Sequence, residues 1–68
     1  MPIVSGPDAA KIIGVDESTI RRHVYRGLLN ARRVGLRNII RIDVDDLRNL
    51  AKELDYPFDD DLAQKLAK

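Results

Sequence analysis

Two short amphipathic segments separated by a glycine occupy residues 9–27, which read AAKIIGVDESTIRRHVYRG. The first segment is apolar at four positions: Ala9, Ala10, Ile12 and Ile13. Gly14 and Gly27 end the two segments, because glycine tolerates the positive φ at which helices often stop. In the second segment Ile20 and Val24 lie four residues apart and therefore share one face of a helix. The pattern predicts a helix, a short turn and a second helix.

Capping residues indicate where both helices begin. Ser5 and Asp8 have the spacing of a capping box, in which the serine side chain accepts a hydrogen bond from the amide three residues later. Pro7 suits a first-turn position, where no backbone donor is needed. Asp16 is the N-cap candidate of the second helix, which we expect to cover residues 17–26.

The next segment, residues 31–42, predicts a β-hairpin. Turn-forming residues at 35–38 separate two short strands that are rich in β-branched residues and arginine. Because strand side chains alternate between faces, Ile40 and Ile42 are expected to point toward the core and Arg41 toward solvent. Ile39 then lies on the outer face, either as an incidental exposed side chain or as part of a contact between protomers.

A third helix follows the hairpin and completes the predicted core. Asp43 is its N-cap, and its apolar stripe consists of Val44, Leu47, Leu50, Ala51 and Leu54. Leu28 and Leu29, ahead of the hairpin, are expected to be core anchors. We therefore expect one domain at residues 1–55 and a C-terminal extension at 56–68, whose last ten residues form a short amphipathic helix.

Charge is divided unevenly along the chain. The formal net charge is only +1, yet residues 18–42 carry seven arginines and no acidic residue, whereas residues 43–68 have a net charge of −4. A basic segment of this kind predicts a face that meets an anionic partner, and nucleic acid is the commonest one. The use of arginine without lysine favours bidentate contacts to phosphate or guanine.

Composition argues against several other classes of protein. Cysteine is absent and His23 is the only histidine, so thiolate metal sites are excluded and a zinc site or an acid/base pair has too few residues. We expect no cofactor, no metal and no enzymatic activity. The chain contains no apolar run of the roughly 18 residues that cross a bilayer, which predicts a soluble, cytoplasmic protein. Binding to DNA would make it nucleoid-associated.

The predicted order of helix, turn, basic helix, basic hairpin and third helix is that of a winged helix-turn-helix, an α+β fold that is mostly α. Six motifs within residues 4–54 resemble the MerR-like excisionase family, and among its members especially the phage excisionases, or recombination directionality factors, of mycobacteriophages. These motifs are Ala9-Ala-Lys-Ile-Ile-Gly-Val15, Ser18-Thr-Ile20, Arg26-Gly-Leu-Leu29, Arg33-Val-Gly35, Ile40-Arg-Ile42 and Asp46-Leu47.

The resemblance implies a DNA-binding function in which the protein itself catalyses no reaction. Excisionases bind double-stranded DNA cooperatively at repeated sites near a prophage attachment site, bend it, and help the phage integrase to excise the prophage. Copies of the protein are then expected to contact each other head to tail along the DNA. The acidic segment after Asp43 and the tail with Leu62 and Leu66 are the candidate surfaces for this contact or for the integrase; the tail otherwise only covers the core.

The layout also predicts which residues contact DNA. A helix fits the major groove, while a basic hairpin lies along the adjacent backbone or minor groove. The expected contacts come from Ser18, Thr19, Arg21, Arg22, Tyr25 and Arg26 of the second helix and from Arg33, Arg37, Asn38 and Arg41 of the hairpin. Arg22 and Arg26 are expected to reach base edges, because they lie one turn apart on the outward face. In the resemblance, Arg33 occupies a frequent wing position.

Three features have a second interpretation. His23 borders the apolar face, so a packed, hydrogen-bonded histidine is favoured over one that reads bases. Tyr25 either donates to a phosphate or packs its ring against the hairpin. The acidic residues 59–61 lack the spacing of a calcium loop and predict a solvated helix start.

Two other functions use the same basic face. A small MerR-like or AlpA-like transcriptional regulator would more often bind inverted half-sites as a symmetric dimer, and the chain has no extended coiled-coil segment for such a dimer. A protein-interaction module would bind an acidic protein through the arginines, and its affinity for duplex DNA would not fall steeply with salt.

Overall fold

The computed structural model describes residues 2–36 and 39–67, so the predicted wing residues Arg37 and Asn38 lie outside the described residues. The elements are β1 Ile3–Ser5, α1 Gly6–Ile13, α2 Glu17–Tyr25, β2 Ala31–Val34, β3 Ile39–Asp43, α3 Val44–Leu54 and α4 Asp60–Leu66. The three strands form one antiparallel sheet in the order β1, β3, β2. This architecture confirms the predicted α+β winged helix-turn-helix.

The first helix begins and ends at the predicted residues. The Ser5 Oγ accepts a hydrogen bond from the Asp8 amide at 3.2 Å, and Gly14 ends α1 with a φ of 70°. A Cβ at Gly14 would meet the Cγ of Pro57 at 3.6 Å, which is ordinary van der Waals contact. The backbone angle of this turn, and not a lack of space, therefore makes the position favour glycine.

The second helix starts at the predicted N-cap residue, but the side chain of that residue does not bond the helix. Asp16 occupies the N-cap position, and its carbonyl oxygen accepts from the Thr19 amide at 3.0 Å. Its side chain accepts no capping hydrogen bond, unlike those of Ser5 and Asp43. At the other end, Arg26 is the C-cap, so the helix stops one residue earlier than the sequence predicts.

The strand β1 is the one element of the sheet that the sequence did not predict. It is three residues long and pairs antiparallel with β3, with Val4 opposite Ile42. Both side chains are buried in the core. The backbone continues the link, because the Val44 amide donates to the Pro2 carbonyl oxygen at 3.0 Å. The start of the chain is thereby joined to the base of the hairpin.

The register of the hairpin assigns its side chains to two faces. Arg33 lies opposite Ile40, and Arg32 lies opposite Arg41. Residues directly opposite one another in an antiparallel pair share a face, so Arg33 and Ile40 lie on the side of Ile42, which is fully buried. Arg32 and Arg41 project from the other side, which we call the back face of the sheet. The inward direction predicted for Ile40 and Ile42 and the outward direction of Arg41 are confirmed.

Strands β1 and β3 and the four helices contribute buried side chains to one apolar core, and Ala31 of β2 packs against it. Its buried members are Val4, Ala9, Ala10, Ile12, Ile13, Ile20, Leu29, Ile42, Val44, Leu47, Leu50, Ala51 and Ala63.

The prediction of a core position is wrong for two leucines. Leu28 is 52% exposed, because the chain turns after α2 and directs only Leu29 of this pair inward. Leu54, the last residue of α3, is 40% exposed at the end of the helix.

The C-terminal helix packs one face on the core and leaves the other in solvent. Ala63 is buried, and Phe58, Leu62 and Leu66 pack against the same core. Asp59 starts the helix, since its Oδ1 accepts from the Leu62 amide at 3.1 Å. The outer face carries the exposed polar residues Asp60, Asp61, Gln64 and Lys65. Thus α4 belongs to the core and also presents charge.

His23 connects α2 to the segment before α4. Its Nε2 lies 3.0 Å from the Tyr56 hydroxyl oxygen, at hydrogen-bonding distance across 33 positions of sequence. Its Nδ1 is buried and has no hydrogen-bond partner among the described residues. Burial, assisted by the positive charges of Arg22 and Arg26, lowers the pKa of His23 below its ordinary value of 6.5. The predicted packed histidine is confirmed.

The lowered pKa of His23 makes stability depend on pH. The unfolded chain binds a proton on this histidine near pH 6.5, whereas the folded chain binds it only at a lower pH. The free energy of unfolding therefore falls as the pH drops below 6.5. We expect His23→Gln to flatten this loss between about pH 7.5 and 5.5 in urea titrations. Tyr56→Phe should instead cost about 1 kcal/mol at every pH. Equal pH dependence in the wild type and His23→Gln would contradict a neutral His23.

Candidate nucleic-acid interface

An open groove of about 710 Å³ lies between α2, the hairpin and the start of α1. Its lining consists of Ser5, Gly6, Pro7, Glu17, Ser18, Arg21, Arg22, Val24, Tyr25, Arg33, Ile39 and Ile40. Five of the residues predicted to contact DNA lie in it: Ser18, Arg21, Arg22, Tyr25 and Arg33. The fold thus brings parts of the predicted helix and the predicted wing to one surface, which we call the recognition groove.

The outward face of α2 supplies most of the groove's polar side chains. Ile20 and His23 are buried on the inner side of the helix, which turns Arg22 and Arg26 outward. Arg22 lies in the recognition groove, and Arg26 lies one helical turn further along the same face, at the C-cap. Thr19 is half-buried and does not line the groove. Both arginines face outward as the sequence predicts, but only Arg22 lines the groove, and their contact with base edges stays a prediction.

The arginines of α2 differ in their partners. Arg21 bonds the Glu17 carboxylate at 3.0 Å, one helical turn away, and both side chains are solvent-exposed. Within residues 2–36 and 39–67, Arg22 and Arg26 make no ion pair. An exposed pair of this type contributes little free energy, so Arg21 is free to exchange its carboxylate for a phosphate. The unpaired guanidinium of Arg22 is already available to a ligand.

The two predicted wing arginines that the structure describes lie on opposite faces. Arg33 lines the recognition groove beside Ile40. Arg41 projects from the back face and, with Arg32, lines a separate surface hollow that also contains Asp43 and Asp46. A duplex seated in the groove therefore meets Arg33 directly, whereas Arg41 reaches it only from behind the sheet.

Tyr25 ends α2 at the rim of the recognition groove. Its side chain is 89% exposed, so the ring does not pack against the hairpin, which was one of its two predicted positions. The hydroxyl is free to donate to a phosphate, the other predicted role.

Sequence reasoning missed the contribution of the chain's first residues to this groove. Ser5, Gly6 and Pro7 line it because β1 pairs with β3 and sets the start of α1 beside the wing. Only the capping box at Ser5 marked this segment in the sequence, and it indicated a helix start and not a surface. Glu17 was also missed as a groove residue, and it is the only acidic side chain in the lining.

No helix in residues 2–36 and 39–67 is long and apolar enough to cross a membrane. No group of three or more histidine, aspartate or glutamate side chains in that part of the chain is arranged to hold a metal ion.

A helix that projects arginines with no ion pair among the described residues, set beside a basic hairpin, is the arrangement with which winged helix-turn-helix proteins hold duplex DNA. The family model described as "Helix-turn-helix domain" matches residues 4–55, and the chain belongs to this family. It is therefore a small DNA-binding helix-turn-helix protein. Neither the curated proteins nor the solved structures contain a match to the chain.

Neighbouring arginines on β2 provide a matched test of the groove. We expect Arg33→Ala to weaken binding about tenfold and to lower the slope of log K against log salt by about 0.9, because a contact to phosphate is lost. Arg32→Ala removes the same charge from the back face and should change affinity less. Fluorescence anisotropy on a duplex selected by the wild-type protein from a random pool measures both values. Equal losses for the two variants would show that net charge, and not the groove, determines binding.

Proposed function

We propose that the protein is an excisionase: it binds cooperatively to tandem sites near a phage attachment site, bends the DNA and directs the integrase toward prophage excision. The observation that carries the proposal is the uneven surface of a single small domain. One side presents the recognition groove and its arginines, while α3 and α4 present exposed acidic residues. The resemblance of residues 4–54 to the MerR-like excisionases supplies the biological role.

DNA docks with α2 in the major groove and the hairpin over the adjacent backbone and minor groove. Arg22 and Arg26 reach base edges, because they lie outward on the helix without ion-pair partners in the described chain. Ser18 and Arg21 lie at the groove wall and hold phosphates. The protein acts by binding alone, in the cytoplasm and at the nucleoid.

The wing contributes mainly backbone contacts. Arg33 is the principal one, since it lies in the recognition groove. Arg37 and Asn38, which lie outside the described residues, remain predicted backbone contacts from the sequence. Arg41, on the back face, serves the far side of the same strand or a neighbouring copy of the protein.

Cooperativity requires a contact between copies bound side by side. A single domain of this size makes few contacts with DNA, so modest affinity at each site is raised by neighbours. The back face offers Arg32 and Arg41 directly opposite each other, a like-charge pair that an acidic partner relieves. The outer face of α4 offers Asp61, which makes no ion pair within the described residues. Contact between these unlike surfaces is head to tail and extends along the DNA.

A nuclease footprint over an integrase gene and its attachment site tests the proposed role. Several adjacent protections in the same orientation, filling over a narrow concentration range with hypersensitive cleavage between them, are expected of a cooperative, bending array. A single palindromic protection over a promoter would instead identify a small transcriptional regulator. An affinity for duplex DNA that does not fall steeply as the salt concentration rises would favour a protein-interaction module.

A charge substitution on α4 tests the contact between copies. We expect Asp61→Lys to reduce cooperativity on a two-site fragment by about tenfold, because it places like charge against the neighbour's back face, while affinity for a one-site fragment stays within about twofold. Gln64→Lys on the same helix adds a positive charge without removing an acid and is the matched control. Gel-shift titrations on both fragments give the two constants. Unchanged cooperativity in Asp61→Lys would exclude α4 from the contact.

A further inference from the structure

The far end of the hairpin carries exposed apolar side chains that do not pack against the core. Leu36, in the turn, is fully exposed to solvent, and Val34 and Ile39 are each about half exposed. Val34 and Ile39 lie opposite each other as the last pair of the β2–β3 ladder. None of the three belongs to the core or packs against it. We call these three residues the wing tip.

Stability does not account for a leucine at this position. The turn needs its positive φ at Gly35, where φ is 76°, and places no demand for an apolar residue on the next position. A single exposed apolar residue is ordinary, but here the most exposed one extends an already apolar strand pair at the end of a projecting element. Such a patch, rimmed by charge, is typical of a surface that meets a partner.

The wing tip continues the surface that meets DNA. Ile39 and Arg33 line the recognition groove together with Arg22 of α2. Leu36 follows Arg33 by three residues, which span at most about 10 Å of extended chain. When α2 lies in the major groove, the end of the wing lies over the adjacent minor groove, which is about 6 Å wide. Arg32 and Arg33, which precede the tip on β2, favour a polyanion over an apolar protein surface or a lipid.

We propose that Leu36 is an apolar wedge that enters the minor groove and opens a base step, and that this insertion produces the bend. Proteins that kink DNA from the minor groove insert a side chain of this type and bend the duplex by about 20 to 90°. Arg33, which lines the recognition groove, holds the phosphates beside the opened step. The Val34 and Ile39 pair lies on the other face of the ladder and forms the base from which Leu36 projects. The inference deepens the proposed function, because it assigns the DNA bending to one residue.

The test separates bending from binding. The probe is a duplex selected by the wild-type protein from a random pool and labelled at its two ends with a donor and an acceptor dye. Anisotropy gives the dissociation constant, and energy transfer gives the end-to-end distance in the saturated complex. The variants are Leu36→Ala, which removes the wedge, Leu36→Met, which retains an apolar side chain of similar length, and Leu54→Ala, a partly exposed leucine on α3 that lies outside the groove.

We expect the wild type, Leu36→Met and Leu54→Ala to shorten the end-to-end distance equally. Leu36→Ala should lose at least half of the bend, while its dissociation constant rises less than about fivefold. The rise is small because a complex without the insertion no longer bears the free-energy cost of unstacking the bases. Circular dichroism melting checks that all variants are folded.

Each other outcome overturns the proposal in a recognisable way. Full bending by Leu36→Ala, or a wild type that binds without bending, excludes the wedge while leaving DNA binding intact. A wild type that selects no duplex overturns the proposed function itself. A change in sedimentation of Leu36→Ala, with unchanged bending, would show that the wing tip is a contact between copies.

Discussion

The antiparallel pairing of β1 with β3 is the interaction on which the other parts of the DNA-binding surface depend. An isolated two-stranded hairpin is marginally stable in water, so the wing needs a third strand or a packed face to hold its direction. Val4 supplies both, since it pairs with Ile42 in the ladder and is buried with it in the core. The same pairing sets the start of α1 against the recognition groove. The orientation of the wing relative to α2 therefore follows from three residues at the start of the chain.

Local signals in the sequence predicted most of the elements, because each is marked by its own residues. The caps at Ser5 and Asp43, the glycine at 14 and the alternation around Ile42 all act over a few positions, and the structure confirms each one. Strand β1 was not predicted, because three residues are too few to show an alternation of apolar and polar side chains. Leu28 was misplaced because two adjacent leucines give no indication of which one the turn directs inward.

The candidate site was predictable to a similar depth. Charge and helical spacing located the outward arginines of α2, which depend only on the phase of one helix. The division of the wing into two faces depends on register between strands, and the separation of Arg33 from Arg41 became explicit only once that register was known. The shape of the groove depends on elements that are distant in sequence, and for this reason Ser5 and Glu17 were not foreseen as part of its wall. The sequence thus shows that the site is basic. Which of the arginines line the groove depends on tertiary structure.

The hydrogen bond between His23 and Tyr56 has a spectroscopic consequence. The chain contains no tryptophan, two tyrosines and one weakly fluorescent phenylalanine, so Tyr25 and Tyr56 dominate its intrinsic ultraviolet fluorescence. Tyr25 stands almost wholly in solvent on the DNA-binding side, whereas Tyr56 is half-buried and bonded to a core histidine. The two emitters therefore report on different parts of the molecule: Tyr25 on the rim of the recognition groove, and Tyr56 on the contact between α2 and the C-terminal segment. The molecule carries one natural reporter on its outer surface and another for the integrity of its own packing.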